Sequence, residues 1–251
     1  MGRLDGKVAI ITGSGRGLGR AFALGMAKEG ASVVVNDVDD SASAVVKEIV
    51  DAGGKATAVI VGVGSKEAAD KMVETAVKEF GRLDILVNNA GIIRDNVVHK
   101  MTEKEFDDVI YVHLRGAFMN TQAAYKYMRD NGVRGRIINI TSSAGMYGNP
   151  GQANYSAAKA GIVGLTLTTS KEFVRKGICV NAVAPGARTG MTESMPDEIK
   201  QMMDAQAKMT SVVQRFGEPE DVAPLVVWLA SDEAYYITGQ VIGAMGSTGS
   251  M

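Results

Sequence analysis

Short apolar runs rich in β-branched residues alternate along the chain with longer segments whose apolar positions recur every three or four residues. Runs of four to seven residues bounded by glycine or polar clusters predict buried strands, and the longer periodic segments predict helices. Strands are predicted at 7–12, 32–36, 55–61, 83–87, 136–140, 178–184 and 240–243, and the clearest helices at 41–52, 65–80, 103–131, 153–176 and 222–230. Strands that alternate with helices predict an α/β fold in which helices cover both faces of a parallel sheet.

Composition narrows the possible partners. The 251 residues are 46% hydrophobic and 22% charged, and 27 lysines and arginines balance 28 acidic residues. The chain therefore has no basic field for nucleic acid. No apolar run reaches the ~18 residues of a membrane span, so we expect no membrane association. The single cysteine, Cys179, allows no disulfide framework, which favours a reducing, cytoplasmic location.

A glycine-rich turn, residues 13–19, links the first strand to the first helix. Glycines at 13, 15, 17 and 19 let the backbone approach a pyrophosphate closely, and the helix N-terminus adds free N–H groups and a positive dipole. The spacing T-G-x-x-x-G-x-G differs from the commoner G-x-G-x-x-G pattern, and a plain tight turn also uses glycine. The turn by itself is therefore weak evidence for a dinucleotide site.

The end of the second strand strengthens the prediction of a dinucleotide site. Asp37 follows the glycine turn by about 20 residues, where an acidic side chain can bind the adenosine ribose hydroxyls and repel a 2′-phosphate. This favours NAD over NADP. Arg16, inside the turn, favours the opposite because a guanidinium can meet a 2′-phosphate, but a phosphate beside an unpaired carboxylate is costly. Asp37 can also be a turn residue before the helix that starts near 39–41.

Residues 142–159 hold the candidate chemistry. Ser142 follows a buried strand, and open α/β sheets bind ligands at the carboxyl ends of their strands. Tyr155 and Lys159 are four apart on a helix that begins near residue 153, so they share a face. A nearby ammonium lowers the pKa of a phenol from its usual ~10, which suits Tyr155 to general acid or base catalysis. Tyr-x-x-x-Lys also arises often by chance, with a half-buried tyrosine and a solvated lysine.

Five motifs in order resemble the short-chain dehydrogenase/reductase family over nearly the whole chain. They are T-G-x-x-x-G-x-G at 12–19, N-N-A-G at 88–91, Ser142, Y-x-x-x-K at 155–159, and Pro-Gly followed by threonine at 185–189. Single motifs are common, but five at these separations are specific. With the other four motifs present in order, chance is a poor explanation for the spacing of Tyr155 and Lys159.

The resemblance implies one Rossmann-type domain over residues 1–251 with a doubly wound, seven-stranded parallel sheet. It implies that Tyr155 is the catalytic acid or base, that Ser142 holds the substrate oxygen, and that Lys159 tunes Tyr155 and binds the nicotinamide ribose. The positions expected to contact the dinucleotide are Gly13, Arg16, Gly17, Leu18, Gly19, Asp37, Gly62, Val63, Asn89, Ala90, Gly91, Tyr155, Lys159, Pro185, Gly186 and Thr189. No metal ion is expected.

Two positions depart from the family pattern. His113 stands where the family usually has an asparagine whose backbone carbonyl holds a water next to the lysine. A carbonyl survives any substitution, so we expect the water relay to persist. His113 can itself buffer protons or simply be a packed helix residue. Gly62-Val63 replaces the usual Asp or Asn near the adenine, which leaves a backbone contact there but no side-chain contact.

Within the family, the runs at 36–37, 113–116 and 147–159 resemble (3R)-hydroxyacyl-CoA dehydrogenase modules, and the chain as a whole also resembles bacterial 3-oxoacyl-acyl-carrier-protein reductases. They imply an NAD-dependent oxidoreductase that interconverts a secondary alcohol and a ketone, most of all a 3-hydroxyacyl/3-oxoacyl thioester. One alternative is a dehydrogenase of a cyclic or aromatic alcohol, since one fold serves many substrates. Another is a dinucleotide-binding protein without catalysis, against which the intact Ser142, Tyr155 and Lys159 argue.

The segment 188–216 is where such a protein closes over its substrate. Its methionines predict an adaptable apolar wall, although they can equally be ordinary helix-packing residues. They are Met191, Met195, Met202, Met203 and Met209. Arg188, Lys200, Lys208 and Arg215 form no convincing clamp for an acidic substrate. Small and apolar residues on several faces of the two long helices, together with the resemblance, predict a homotetramer.

Overall fold

The computed structural model describes residues 2–188 and 197–247, and its strands form one seven-stranded parallel sheet in the order β3-β2-β1-β4-β5-β6-β7. The strands are β1 (Val8–Thr12), β2 (Ser32–Asp37), β3 (Lys55–Ile60), β4 (Ile85–Asn88), β5 (Arg136–Ile140), β6 (Cys179–Pro185) and β7 (Val241–Ala244). The predicted doubly wound sheet is confirmed, and each predicted strand lies within two residues of the observed one. The apolar runs were reliable because β1, β4 and β5 are buried along their whole length.

Helices cover both faces of the sheet. They are α1 (Gly17–Lys28), α2 (Ser41–Asp51), α3 (Lys66–Phe80), α4 (Glu103–Ile110), α5 (Gly116–Asp130), α6 (Ala144–Tyr147), α7 (Ala153–Phe173), α8 (Asp197–Thr210) and α9 (Pro219–Ala230). The side chains of α1, α2 and α9 fill one core, around Phe22, Val45 and Val226. Those of α3 and α5 fill the other, around Met72 and Met128.

The strand order reverses at the pair formed by β1 and β4. On one side of this pair lie β2 and β3, and on the other side lie β5, β6 and β7. A crevice opens at such a point beyond the carboxyl ends of the strands, because the following helices lie on opposite faces. The glycine turn, the end of β2, residues 88–91 and Ser142 all follow carboxyl ends of strands. The fold therefore gathers the motifs of both halves at one edge of the sheet.

The predicted single helix over 103–131 is wrong in its middle. A π-helical turn, Tyr111–Arg115, separates α4 from α5. A π turn holds one residue more than an α turn and is frequent at functional sites. Here it carries the buried His113, and no composition signal marks such a turn in advance.

Some predictions fall on residues 189–196 and 248–251, outside the described part of the chain. They concern Thr189, Met191 and Met195. Within the described residues, 2–188 and 197–247, no helix is both long enough and apolar enough to cross a bilayer.

Candidate active site

The helix α7 is fixed to the end of β5 by two buried hydrogen bonds that involve Lys159. The Thr141 hydroxyl donates to the Lys159 carbonyl at 2.9 Å, and the Lys159 ammonium donates to the Ile140 carbonyl at 2.7 Å. Lys159 is only 3% exposed. This burial excludes the alternative that Lys159 is a solvated surface lysine.

Tyr155 is positioned by the residue before it. The Asn154 amide donates to the carbonyls of Arg94 and Glu105 at 2.8 and 3.0 Å, and its oxygen accepts from the Tyr155 N–H at 2.8 Å. The Ser142 hydroxyl accepts from the Ala144 N–H at 3.2 Å and lies near enough to the Tyr155 phenol to favour its charged form. The two hydroxyls therefore face one another at the edge of the sheet.

The expected lowering of the Tyr155 pKa is wrong for the chain alone. Burial raises the pKa of Tyr155 because the phenolate loses its hydration; the bond from Ser142 opposes this shift and the carboxylate of Asp95 adds to it. Lys159 lies with its ammonium 5.4 Å from the centre of the Tyr155 ring, and its nearest polar partner is a backbone carbonyl rather than the phenol. Tyr155 is thus held as a neutral phenol that can donate a proton.

Lys159 is itself shifted by its surroundings. Burial lowers the pKa of Lys159 from 10.5 to about 7, because the ammonium is removed from water without a carboxylate partner. A lysine in this range changes charge near neutral pH. It can therefore exchange protons with its neighbours, which a solvated lysine does not do at that pH.

His113 lies beside Tyr155, with ring centres 5.2 Å apart at an interplanar angle of 88°. Its Nε2 is 2.8 Å from the Ile92 carbonyl and 3.0 Å from the Ile92 N–H, and its buried Nδ1 has no hydrogen-bond partner in the described residues. Burial, with a smaller contribution from the nearby Lys159, lowers the pKa of His113 to about 3 against the opposing effect of the Ile92 carbonyl. Such a group stays neutral near pH 7, so the structure favours the packed interpretation over the proton buffer.

A chain of buried amides behind these residues had not been singled out from the sequence. The Asn120 amide donates to Asn88 at 3.1 Å, Asn88 to Asn139 at 2.9 Å, and Asn139 to the Thr166 hydroxyl at 2.9 Å. The chain connects α5, β4, β5 and α7. Buried polar groups that satisfy one another fix their elements at one distance, so this network holds α7 in register with the sheet. Asparagines inside two apolar strands were the available signal.

The glycine turn is closed by the residues after β4. The Asn89 amide donates to the carbonyls of Thr12 and Gly13 at 2.9 and 2.8 Å, and the Thr12 hydroxyl accepts from the N–H groups of Asn89 and Ala90 at 3.0 and 3.1 Å. A methyl group on Gly19 would lie 2.2 Å from the Gly13 carbonyl oxygen. The turn is therefore built for close backbone approach, as a pyrophosphate requires.

The start of α1 fits an anion as well. Among the described residues no side chain caps α1, so its first N–H groups are available to a phosphate. They open onto a groove of about 580 Å³, lined among others by Gly17, Asp37, Gly62 and Ala90. We call this the dinucleotide groove. Its glycine turn, free N–H groups and terminal carboxylate fit a dinucleotide.

Asp37 lies at the far end of the dinucleotide groove. Its carboxylate accepts from the Gly15 N–H at 2.9 Å and from the Val38 N–H at 2.8 Å, so Asp37 is both a turn residue and a wall of the groove. Arg16 also lines this end but forms an ion pair with Asp39.

A second hollow of about 460 Å³ adjoins the groove and shares Leu18, Asn89 and Ile93 with it. We call it the substrate-side cavity. It contains Ser142, Tyr155, Lys159, Pro185 and Gly186, and its apolar lining includes Ile93, Ala187, Met203, Ala207, Phe216 and Met245. The two hollows thus bring together all the predicted site residues except two. Thr189 lies outside the described part of the chain, and His113 packs beside Tyr155 without lining either hollow.

The predicted methionine wall is only partly present. Met203 lines the substrate-side cavity, whereas Met202 and Met209 face outward on α8. A helix exposes one side, and the packing of α8 against the rest of the chain decides which methionines lie on that side. Met245, after β7, lines the cavity without having been predicted. Arg188, one of the four cations that were not expected to form a clamp, makes ion pairs with Asp204 and Glu218.

This fold, with its dinucleotide groove beside a cavity that contains a serine, a tyrosine and a lysine, is that of a nicotinamide-dependent oxidoreductase. A family model described as enoyl-(acyl carrier protein) reductase matches residues 13–246. Several relatives match almost the entire chain. The 3-oxoacyl-[acyl-carrier-protein] reductase of Thermotoga maritima is 44% identical over 97% of this chain and 98% of its own length. The enzyme of that name from Synechocystis is 46% identical over 98% of both.

Among solved structures, a short chain dehydrogenase from Mycobacterium avium is 48% identical, with a TM-score of 0.85 over 98% of this chain and 84% of its own. The chain belongs to the short-chain dehydrogenase/reductase family. The resemblance inferred from the five motifs is confirmed, and so is the expectation of an oxidoreductase rather than a non-catalytic binding protein.

Proposed function

We propose that this enzyme interconverts 3-oxoacyl and 3-hydroxyacyl thioesters, with NADH as the preferred reductant. The observation that carries the proposal is the junction of the two hollows. The Ser142 and Tyr155 hydroxyls lie in a largely apolar cavity that opens into a groove ending at Asp37. The names of the relatives from Thermotoga and Synechocystis support the same reaction.

The proton chemistry falls to Ser142, Tyr155 and Lys159. The Ser142 hydroxyl donates a hydrogen bond to the substrate carbonyl and fixes its oxygen beside Tyr155. Tyr155, kept neutral by its burial, donates its proton to that oxygen as the carbonyl becomes an alcohol. Lys159, with a pKa of about 7, restores the proton. The nicotinamide supplies the hydride, and the predicted cofactor positions from Gly13 to Thr189 would hold it.

The lining of the substrate-side cavity supports an apolar acyl group. Ile93, Met203, Ala207 and Phe216 surround the approach to Tyr155, and flexible methionines adapt to chains of different shape. Arg215 also lines the cavity, but Asp221 binds its guanidinium through two contacts and reduces its value for an acidic substrate. We propose the segment 188–216 as the part of the chain that closes over the acyl group.

The site favours reduction of a carbon–oxygen bond over the carbon–carbon double bond named by the family model. Reduction of a ketone needs a proton on oxygen. Ser142 and Tyr155 bring two hydroxyls into the same cavity, which suits a single shared oxygen atom. Reduction of a double bond conjugated with the thioester carbonyl instead takes the hydride at C3 and the proton at C2, so that its proton goes to a carbon atom rather than to oxygen.

The test is the loss of reduced-nicotinamide absorbance with acetoacetyl-CoA, measured separately with NADH and NADPH. We expect rapid loss with NADH and a much smaller rate with NADPH. Crotonyl-CoA tests reduction of the double bond, and a cyclic ketone tests the alternative substrate class. Turnover of crotonyl-CoA or of the cyclic ketone without turnover of acetoacetyl-CoA would overturn the proposed substrate, and a preference for NADPH would overturn the cofactor.

We also propose a homotetramer located in the cytoplasm. Two groups of exposed apolar residues support the assembly, one on α4, the π turn, α5 and α7, and another at Tyr235 and Tyr236. The first group includes Phe106, Tyr111, Phe118 and Leu167. Exposed apolar area of this extent marks protein contacts. Light scattering of the purified enzyme checks the mass, and a purely monomeric solution would contradict the assembly. The single, buried Cys179 supports the location.

A further inference from the structure

Arg16 is the cation of the dinucleotide groove. Of the described residues that line the groove, it alone carries a positive charge, whereas Asp37 and Asp39 carry negative ones. A 2′-phosphate on the adenosine ribose would need a cation at this end, because a phosphate beside unpaired carboxylates is strongly disfavoured. Whether the groove accepts such a phosphate therefore depends on where the Arg16 guanidinium is held.

The guanidinium is held by α2 rather than left free. It forms a short ion pair with the Asp39 carboxylate and lies 3.4 Å from the Ser41 hydroxyl. Asp39 is itself fixed: it accepts from the Ser41 N–H at 3.0 Å and from the Ser41 hydroxyl at 2.5 Å. These bonds, with a smaller contribution from Arg16, lower the pKa of Asp39 to about 2. The carboxylate is charged at every pH at which the enzyme works.

Asp37 faces the groove from the other side of the same turn and is fixed independently. Its partners are the N–H groups of Gly15 and Val38, and it does not contact Arg16. The two carboxylates therefore have separate tasks. Asp37 is placed to accept hydrogen bonds from ribose hydroxyls, and Asp39 binds the one arginine of the groove lining that a 2′-phosphate would need.

We propose that Asp39 is a specificity-determining residue that excludes NADPH by sequestering Arg16, so that cofactor choice rests on Asp39 as well as on Asp37. This inference rests on the proposed use of NADH. The pair is exposed, with 63% of the Arg16 and 52% of the Asp39 side chain accessible. Because an exposed ion pair contributes at most about 1 kcal/mol to folding stability, removal of the Asp39 charge releases Arg16 to a phosphate without disturbing the fold.

The test is direct binding of NADH and NADPH to Asp39→Asn, measured by isothermal titration. Asparagine keeps an oxygen that can accept from the Ser41 N–H and removes only the charge. Asp40→Asn is the matched control, because Asp40 is equally exposed, one residue away, and makes no side-chain hydrogen bond in the described part of the chain. Arg16→Gln and the double variant Arg16→Gln/Asp39→Asn complete a cycle that separates release of the arginine from simple loss of negative charge.

We expect the Kd for NADPH to fall about tenfold in Asp39→Asn, which corresponds to one additional charge-assisted contact. The Kd for NADH should stay within about twofold, since Asp37 is untouched. The gain should vanish in the double variant, and Asp40→Asn should show much less of it. An unchanged Kd for NADPH in Asp39→Asn, or an equal gain without Arg16, would overturn the proposal. Tighter NADPH than NADH binding by the unaltered enzyme would overturn the proposed cofactor, yet leave the effect of Asp39→Asn measurable.

Discussion

Two cations stand at opposite ends of one crevice, and the protein treats them in opposite ways. Lys159, at the reacting end, is almost fully buried, and its ammonium donates to the Ile140 carbonyl. Arg16, at the adenosine end, is mostly exposed and is neutralised by Asp39. Burial without a counter-charge lowers the pKa of Lys159 to about 7, whereas the ion pair with Asp39 occupies the exposed Arg16 guanidinium.

The difference teaches how one sheet edge can serve two tasks. Proton transfer needs a group whose charge can change near neutral pH, and desolvation is the means to shift its pKa. Cofactor selection needs a fixed pattern of charges, which exposed side chains supply without loss of hydration. The two ends should therefore respond separately to mutation.

The largest expected effect removes the proton donor at the buried end. Tyr155→Phe should lower kcat for acetoacetyl-CoA reduction about 10³-fold, because positioned acid–base groups contribute roughly 10²–10⁴. NADH affinity, set mainly by the groove, should remain within about twofold. Stopped-flow absorbance gives the rate and isothermal titration gives the affinity.

Tyr125→Phe is the matched control for Tyr155→Phe. Tyr125 stacks on Phe173, with ring centres 3.8 Å apart, far along the chain from the site residues. It loses the same oxygen atom and should keep its turnover. Substantial turnover in Tyr155→Phe would mean that another group donates the proton.

The second effect damages the groove and spares the chemistry. Gly19→Ala places a methyl 2.2 Å from the Gly13 carbonyl oxygen and 2.6 Å from the Asn89 amide nitrogen. Overpacking of this kind costs about 1–3 kcal/mol. We therefore expect NADH to bind roughly 10- to 100-fold more weakly, measured by titration, with turnover at saturating NADH largely retained.

Gly25→Ala, on the same helix, is the control for Gly19→Ala. Its methyl would meet Val227 at 3.3 Å and Ala223 at 3.8 Å, so only a slight adjustment is needed. Equal loss of NADH affinity in both variants would show that α1 as a whole, rather than the glycine turn, was disturbed.

The same contrast explains what the sequence could predict. The strands and the five motifs were readable because their signals are local: an apolar run, a glycine spacing, a tyrosine four residues before a lysine. The carboxylate at Asp37 and the arginine at 16 were also recognised. What was missed depends on contacts between distant segments.

Three examples show this limit. The Tyr155 pKa was expected to fall because a lysine lay one turn away, but burial by other segments decides its direction. The π turn that carries His113 follows from packing, and no residue type announces it. The pair between Arg16 and Asp39 joins two exposed residues 23 positions apart, and charge alone did not select it.

The smallest expected effect is a change in the free energy of unfolding, and it tests the contrast between the buried lysine and the exposed arginine. Lys159→Met should stabilise the chain by roughly 2 kcal/mol at pH 6 while it abolishes turnover, measured by urea unfolding at one fixed protein concentration. The buried ammonium costs about 5 kcal/mol, from a pKa lowered from 10.5 to about 7. Loss of the hydrogen bond to the buried Ile140 carbonyl destabilises the variant by about 1–3 kcal/mol and offsets part of this gain. Lys171→Met, an exposed change on the same helix, should leave stability within about 0.5 kcal/mol.

The pH dependence of this gain gives its sign independently. The unfolded chain holds the Lys159 proton up to its ordinary pKa of 10.5, whereas the folded chain releases it near 7. Between these values the unfolded state binds more protons, so the stability of the unaltered enzyme rises with pH. The advantage of Lys159→Met should therefore be largest below pH 7, vanish near pH ~8.5 and reverse by about pH 10, because each pH unit between the two pKa values restores roughly 1.4 kcal/mol to the unaltered enzyme. A constant difference over that range would mean that Lys159 keeps an ordinary pKa in the fold, and that the buried end of the crevice holds its charge as firmly as the exposed one.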